Sequence, residues 1–382
     1  MKGNRLIFGI IVLTFLIIVL STLSLFNLEI KDEKNEIKNK SYNLGVIIKK
    51  DGLYDNFEIE NKLNLLLNSI KNDINLDNVG IIKADITSLD ELDLVVENLY
   101  YNKNVRYLIM VGRDLAWEGE DGWKKLKSDI ESAFWYVNDE LCYLNVREPD
   151  EQGKPSGSSE IRDIAISWVI APDIYFEDKS LEEINKLKRN IVSNIITTYT
   201  EYHNNPQKIF DSFEKSCLYI RDNESIPSFY ENSFDSGYQF DWILVMNTDF
   251  EKVWDEMKKG HLILEYVVHG TPYSLMISQS DSEFFTYIED YNNFIEIYGL
   301  PVLFVSAGAC DRNVIQRSCT NTGICFCWPQ VNIYNGVWAY FTPGGNSADM
   351  ENSFSKDKFI GESVLKNQCQ IIIYGDITSH MT

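Results

Sequence analysis

Two apolar runs in this chain end in residues that can do covalent chemistry. Leu262–Val268 (LILEYVV) closes on His269-Gly270, and Pro301–Ala309 (PVLFVSAGA) closes on Cys310. Sulfur attacks a carbonyl as thiolate, or as a thiol that loses its proton during attack, so it needs a base beside it. An imidazole, with its affinity for protons near neutrality, can accept that proton and return it to a leaving amine. The carbonyl oxygen gains negative charge in the process. Backbone N–H groups at a strand-to-loop turn can hold it, and those of Gly270 and Cys310 are the natural donors. Gly270 also lets a substrate approach the main chain closely, and Ala307, Gly308 and Ala309 keep a crevice before the sulfur open.

The elements around these residues must bring them together. His269 and Cys310 are separated by 41 residues, room for one crossover with a helix. A right-handed crossover between parallel strands brings both strand ends to one edge, and open α/β sheets bind ligands at that carboxyl edge. The rest of the body has the required alternation. Strand-length apolar runs are expected at Leu44–Ile48, Val79–Ile82, Tyr107–Val111, Ile164–Ile170, Cys217–Ile220, Trp242–Met246, Leu262–Val268, Val302–Ser306, Val337–Phe341 and Ile371–Tyr374. Amphipathic segments at Phe57–Ile70, Leu89–Tyr100, Trp123–Val137, Leu181–Tyr202 and Phe284–Tyr298 predict helices between them. Several strands are apolar at nearly every position, as expected when helices cover both faces of a mostly parallel sheet. Glu148–Ser159 is polar and turn-rich and predicts an exposed loop. The segment His203–Gln207 ends the longest helix and marks a boundary between an N-terminal α/β subdomain, 41–210, and a site-bearing one, 211–382.

Composition narrows the function. The chain of 382 residues carries a formal charge of −22, with 35 basic against 57 acidic residues, and has no basic cluster, which argues against nucleic acid as a partner. Hydrophobic residues make up 45% of it, enough for a large core. Residues Leu6–Phe26 are 21 uncharged, mostly apolar positions, long enough as a helix to cross a bilayer. Lys2 and Arg5 precede them, which predicts a cytoplasmic N-terminus and an exported body. Residues 1–40 thus read as a signal anchor and polar stalk of a single-pass membrane protein; the alternative is a signal peptide that is cleaved, leaving a secreted body.

The ordered blocks resemble a known family. An apolar strand, His-Gly, a crossover and an apolar strand ending Ala-Cys look like the clan of cysteine peptidases that contains caspases, legumains and gingipains, and most of all like the gingipains. Tyr107–Gly112 (YLIMVG) resembles that family's early strand, and Asp163–Ala171 (DIAISWVIA) with the helix after it resembles its strand-plus-helix before the catalytic half. Val337–Ser347 (VWAYFTPGGNS) resembles the strand and loop that wall the primary specificity pocket. Phe359–Leu365 and Ile373–Asp376 resemble the closing helix and the Gly-Asp strand end. The likeness covers roughly residues 42–380. It implies a caspase-like fold, with a mostly parallel sheet between layers of helices, and hydrolysis of peptide bonds by a Cys310–His269 dyad in a protein or peptide substrate. It further implies a third carboxylate, for which Glu177 is the match, and substrate contacts from Phe341, Thr342, Gly344, Gly345 and Asn346. Asp311, beside the nucleophile, is a candidate for attracting basic side chains. No metal or cofactor is implied for catalysis; Trp117–Gly122 (WEGEDG) is a candidate calcium loop whose simpler reading is a solvated turn.

Other readings stay open at this point. The same fold can serve a catalytically silent binding or scaffold protein at the cell surface, and a transpeptidase would use the same dyad with an amine acceptor. Of the remaining histidines, His261 precedes its strand and is expected at the opposite edge of the sheet, while His203 and His380 lie near segment ends and are expected to be solvated. The other six cysteines are even in number, with Cys319, Cys325 and Cys327 clustered after the nucleophile. Disulfides fit an exported body, but spacing does not give the pairing.

Overall fold

A computed structural model describes residues 44–76, 78–86, 89–112, 134–137, 140–143, 164–174, 176, 178–221, 241–246, 250–267, 269–271, 274–279, 282–307, 318–319, 324–326, 328–344, 359–367 and 370–381. The predicted anchor at 6–26, the loop at 148–159 and the acidic turn at 117–122 lie outside them. Among the described residues no helix is long and apolar enough to cross a membrane.

The first half of the chain runs β1 (Leu44–Lys49), α1 (Phe57–Ile74), β2 (Val79–Ala84), α2 (Leu89–Lys103), β3 (Tyr107–Val111), β4 (Phe134–Val137), β5 (Glu140–Tyr143), β6 (Ala165–Val169), β7 (Asp173–Ile174), α3 (Leu181–Asn204) and α4 (Pro206–Phe210). The second runs β8 (Glu214–Arg221), β9 (Asp241–Met246), α5 (Phe250–Met257), β10 (His261–Val267), β11 (His269–Thr271), β12 (Ser274–Gln279), β13 (Ser282–Tyr287), α6 (Ile288–Tyr298), β14 (Val302–Ala307), β15 (Ser318–Cys319), β16 (Ile324–Phe326), α7 (Trp328–Tyr334), β17 (Ala339–Gly344), α8 (Ile360–Asn367) and β18 (Gln370–Gly375).

Ten of these strands form one sheet in the order β2-β1-β3-β6-β18-β17-β14-β10-β8-β9. They are the ten predicted from apolar runs. Each end of the sheet has the same wiring: the second strand outermost, then the first, third and fourth, as β2-β1-β3-β6 and again as β9-β8-β10-β14. Neighbours within each set are parallel, and β17 extends the second set in parallel. β18 runs antiparallel to β17, with Ala339 opposite Gly375. Burial follows from helices on both faces: β1 is buried at five consecutive positions, and the core includes Val302–Val305 and Val337–Phe341 without a break.

Two helical predictions need correction. Phe134–Val137 is not the end of a helix but a strand paired with Glu140–Tyr143. Likewise Phe284–Tyr287 belongs to β13, in a hairpin with β12, and the helix begins only at Ile288. Both stretches are rich in aromatics, which fit a pleated surface at least as well as a helical face.

The helices that shape the sheet's flank start and stop where local chemistry dictates. Asn56 caps α1 by accepting from the N–H groups of Glu58 and Ile59, and Asn75 ends it in the left-handed region. Ser180 and Glu183 form a reciprocal capping box at the start of α3. The two helices run side by side in the same direction. Ser193 Oγ donates to Glu58 at 3.3 Å, Lys62 Nζ donates to Thr197 Oγ1 at 2.6 Å, and Asp73 meets His203 near both C-termini.

Gly375 closes β18 with φ of +98°, and a Cβ there would stand 2.6 Å from the Trp338 carbonyl oxygen and 2.9 Å from the Tyr199 hydroxyl. Backbone strain and overpacking add at this position, so Gly375→Ala should destabilise the fold by about 2 kcal/mol or more, seen as a lower urea midpoint. An unchanged midpoint would show that this turn relaxes freely.

Candidate active site

The strand that leads to His269 and the strand that leads to Cys310 are hydrogen-bonded neighbours. β10 and β14 pair in parallel from His261 opposite Val302 to Tyr266 opposite Ala307. In sequence His269 and Cys310 each come three residues after that last pair, and the two strands they follow end at one edge. β17 flanks β14 on its other side, with Phe341 opposite Ser306. The start of the predicted pocket segment therefore leaves the sheet at the same edge.

The named residues are placed as follows. His269 and Gly270 open β11, where their register partners on β12 are Met276 and Leu275. Thr342 and Gly344 lie on β17 opposite Ile372 and Gln370. Phe341 is 2% exposed and belongs to the core of the sheet, so its side chain offers no open pocket surface. Cys310, Asp311, Glu177, Gly345 and Asn346 lie outside the described residues. A segment before Glu177 and a segment after Cys310 are nonetheless paired. β7, three residues before Glu177, pairs with β16 through Ile174 opposite Ile324 and Asp173 opposite Cys325. The segment that follows β6 is thus tied to the segment that follows β14.

Below the edge the support is buried and mostly apolar. Tyr266 and Tyr340 reach over β14 and share a hydrogen bond of 3.1 Å between buried hydroxyls. His261 starts β10 at the far edge, as its sequence position implied, and is fully buried. Its Nε2–H donates to the Glu256 carbonyl at 2.8 Å, and Nδ1 lies 2.6 Å from Ser216 Oγ. Both nitrogens are committed to structure.

At that far edge the structure corrects the reading of two histidines. His203 and His380 are not solvated; they are 3% and 6% exposed. His203 lies between two carboxylates, with Nδ1 2.6 Å from Asp73 Oδ2 and Nε2 2.7 Å from Asp376 Oδ2. A carboxylate only accepts, so both ring nitrogens donate and the ring is an imidazolium. Burial alone would depress its pKa, but Asp376 and then Asp73 outweigh burial and raise it to about 9. Asp376 is held below the usual carboxylate range: burial pushes it up, and His203 and Thr378 pull it down further. Trp338 Nε1 and the Thr378 hydroxyl and N–H complete its hydrogen bonds. His380 stacks near His203 at 5.9 Å between centroids, and burial lowers its pKa. Asp73, His203 and His380 offer donor atoms within 4.8 Å of one another. The 2.6 Å contact is nevertheless a hydrogen bond, since two donors on one tetrahedral zinc would stand about 3.3 Å apart.

This cluster sets a pH dependence. His203, raised from 6.5 to about 9, contributes stability fully below pH 6.5 and loses it as pH rises through 9. His380, depressed, costs stability as pH falls below 6.5, and Asp376 adds a loss below 3.8. The melting temperature should therefore peak near pH 6.5 and fall on both sides, with the alkaline loss on the order of 3 kcal/mol when complete. His203→Gln should flatten the slope between pH 6.5 and 9. A wild-type profile flat across that window would overturn the assignment.

Comparison with known proteins bears on the fold. No protein-family model and no curated protein sequence matches this chain. Solved structures do. The complex of the pro- and mature domains of RgpB from Porphyromonas gingivalis matches with a TM-score of 0.53 at 14% identity, over 88% of this chain and 79% of that one. The Arg-specific cysteine proteinase gingipain R (RgpB) matches with a TM-score of 0.51 at 12% identity, over 90% and 79%. A third structure, described only as a protease, gives 0.51 at 10% identity. The chain has the gingipain-type, caspase-like fold expected from its motifs.

Proposed function

We propose that this protein is a cysteine endopeptidase in which Cys310 is the nucleophile and His269 the proton carrier. The observation that carries the reading is the register of β10 and β14: Tyr266 is opposite Ala307, and in sequence the two reactive residues come at the same offset after these adjacent strands. Neighbouring strands lie about 4.8 Å apart, so residues in step beyond them start within reach of one crevice.

In the proposed cycle the Cys310 sulfur attacks the scissile carbonyl carbon, and its proton passes to His269. The N–H groups of Gly270 and Cys310 hold the oxyanion. Collapse breaks the C–N bond, and His269 protonates the departing amine. Water, deprotonated by His269, then attacks the thioester and releases the acid with the thiol restored. Glu177 is proposed to orient His269; the β7–β16 pairing ties the segment that leads to Glu177 to the segment that follows Cys310. Thr342, Gly344, Gly345 and Asn346 are proposed to line the substrate cleft, and Asp311 to favour basic side chains there. Residues 6–26 are proposed to anchor the protein in the cell membrane, leaving residues 41–382 outside the cytoplasm.

The experiment is covalent labelling of the full-length chain by a peptidyl electrophile directed at thiols, read by mass mapping. Modification at Cys310, lost in His269→Ala, is the expected outcome. Equal labelling of several cysteines, indifferent to His269, would remove the basis for the dyad.

A further inference from the structure

The short ladder behind the nucleophile places two cysteines opposite one another. β15 and β16 pair antiparallel, with Ser318 opposite Phe326 and Cys319 opposite Cys325. Directly opposed residues of an antiparallel ladder lie on one face, with Cα atoms about 4.5–5.5 Å apart. That interval falls inside the roughly 4.4–6.8 Å over which a disulfide closes without backbone movement. β16 is also the middle strand of its sheet, because its other edge pairs with β7, where Cys325 faces Asp173.

From this juxtaposition we infer that Cys319 and Cys325 form a disulfide that locks the hairpin behind the nucleophile. The bond forms by exchange with a small-molecule or protein disulfide. One thiolate attacks the oxidant and displaces a thiol, and the second thiolate attacks the mixed disulfide and displaces the other. The S–S bond of the oxidant is exchanged for one between positions 319 and 325, and two thiols leave reduced. The oxidant is supplied outside the cytoplasm, so occupancy in the cell rests on the location proposed above. The capacity to form the bond does not.

The location of the pair gives it a consequence. The hairpin follows Cys310, and its inner strand holds β7, which leads to Glu177. A cross-link at 319–325 therefore stiffens a bridge between the segments after β6 and after β14. It also withdraws two thiols that follow Cys310 in sequence from exchange with it. Cys217, by contrast, is 1% exposed within the core of β8 and is shielded from any oxidant.

The test uses the full-length chain purified without reductant, incubated with oxidised glutathione, alkylated and digested. The expected result is a peptide containing Cys319 and Cys325 linked to each other, two hydrogen masses lighter than its reduced form, with Cys310 alkylated. Reduction should lower the wild-type melting temperature by about 5 °C, and the Cys319→Ser/Cys325→Ser variant should melt at the reduced value whether or not reductant is present. Both residues alkylated after oxidation, or either one linked to Cys327, overturns the inference while leaving the dyad intact. A bond from either residue to Cys310 overturns the inference and the proposed enzyme together.

Discussion

Replacing Cys310 with alanine should lower kcat/KM on any cleaved peptide by about 10⁴-fold or more, while leaving the thermal melt nearly unchanged. The magnitude follows from what is removed. Without the sulfur there is no covalent intermediate, and only the oxyanion donors and substrate binding still act on water as the nucleophile. A factor of 10⁴ is about 5.5 kcal/mol of transition-state stabilisation. His269→Ala should cost nearly as much, because a thiol without its base attacks slowly at neutral pH. The double variant should then be no worse than either single one, since residues that act as a unit do not add. The measurement is a peptide-library profile of all four proteins, each checked for an unaltered melt. Losses that multiply would show two independent contributions. Residual activity in Cys310→Ala within tenfold of wild type would place the nucleophile elsewhere.

The part of this prediction that sequence alone supports is larger than the part that structure adds. The runs LILEYVV and PVLFVSA announce buried parallel strands because nearly every position is apolar, and β10 and β14 are those strands. What no spacing could give is their adjacency. Among the described strands β9 takes the sheet's edge beside β8, and β10 lies between β8 and β14. The failures have equally specific causes. Phe134–Val137 and Phe284–Tyr287 carry aromatics that satisfy a helical period over a short window, yet both belong to hairpins, whose partners lie a few residues away. His203 looked solvated because it ends a helix and is followed by polar residues. A signal was present: Val192, Ile195, Ile196, Tyr199 and Tyr202 form the buried stripe of α3, and position 203 continues it. Its partners could not be read, because Asp73 and Asp376 lie 130 and 173 residues away along the chain.

Those partners make the second large effect one of stability. Asp376→Asn should destabilise the fold by about 3–5 kcal/mol near pH 7, the usual result of stripping one member from a buried, hydrogen-bonded charge pair. The asparagine is nearly the same size and its oxygen can keep the bonds that Thr378 makes to Oδ1, but its NH2 takes the place of Oδ2, which accepts from His203 and Trp338. The loss is the charge that faces His203 Nε2 at 2.7 Å, together with the acceptor for Trp338 Nε1. With only Asp73 left, the imidazolium gives up much of its elevation, and the alkaline fall in stability should begin at lower pH than in wild type. The cluster fastens the C-termini of α1 and α3 to Trp338, at the entry to β17, and to the turn after β18. The far end of β17 carries the proposed pocket residues, and the near end is pinned here. A double-mutant cycle with His203→Gln separates the pair from its surroundings: a coupling of 2 kcal/mol or so identifies the ion pair as the cause. Because the cluster lies at the edge opposite the one where β10 and β14 end, kcat/KM measured well below the lowered melt should stay within a few-fold of wild type. A large loss of activity in a folded Asp376→Asn protein, with its melt little changed, would instead tie this carboxylate to the chemistry and break the division of labour between the two edges.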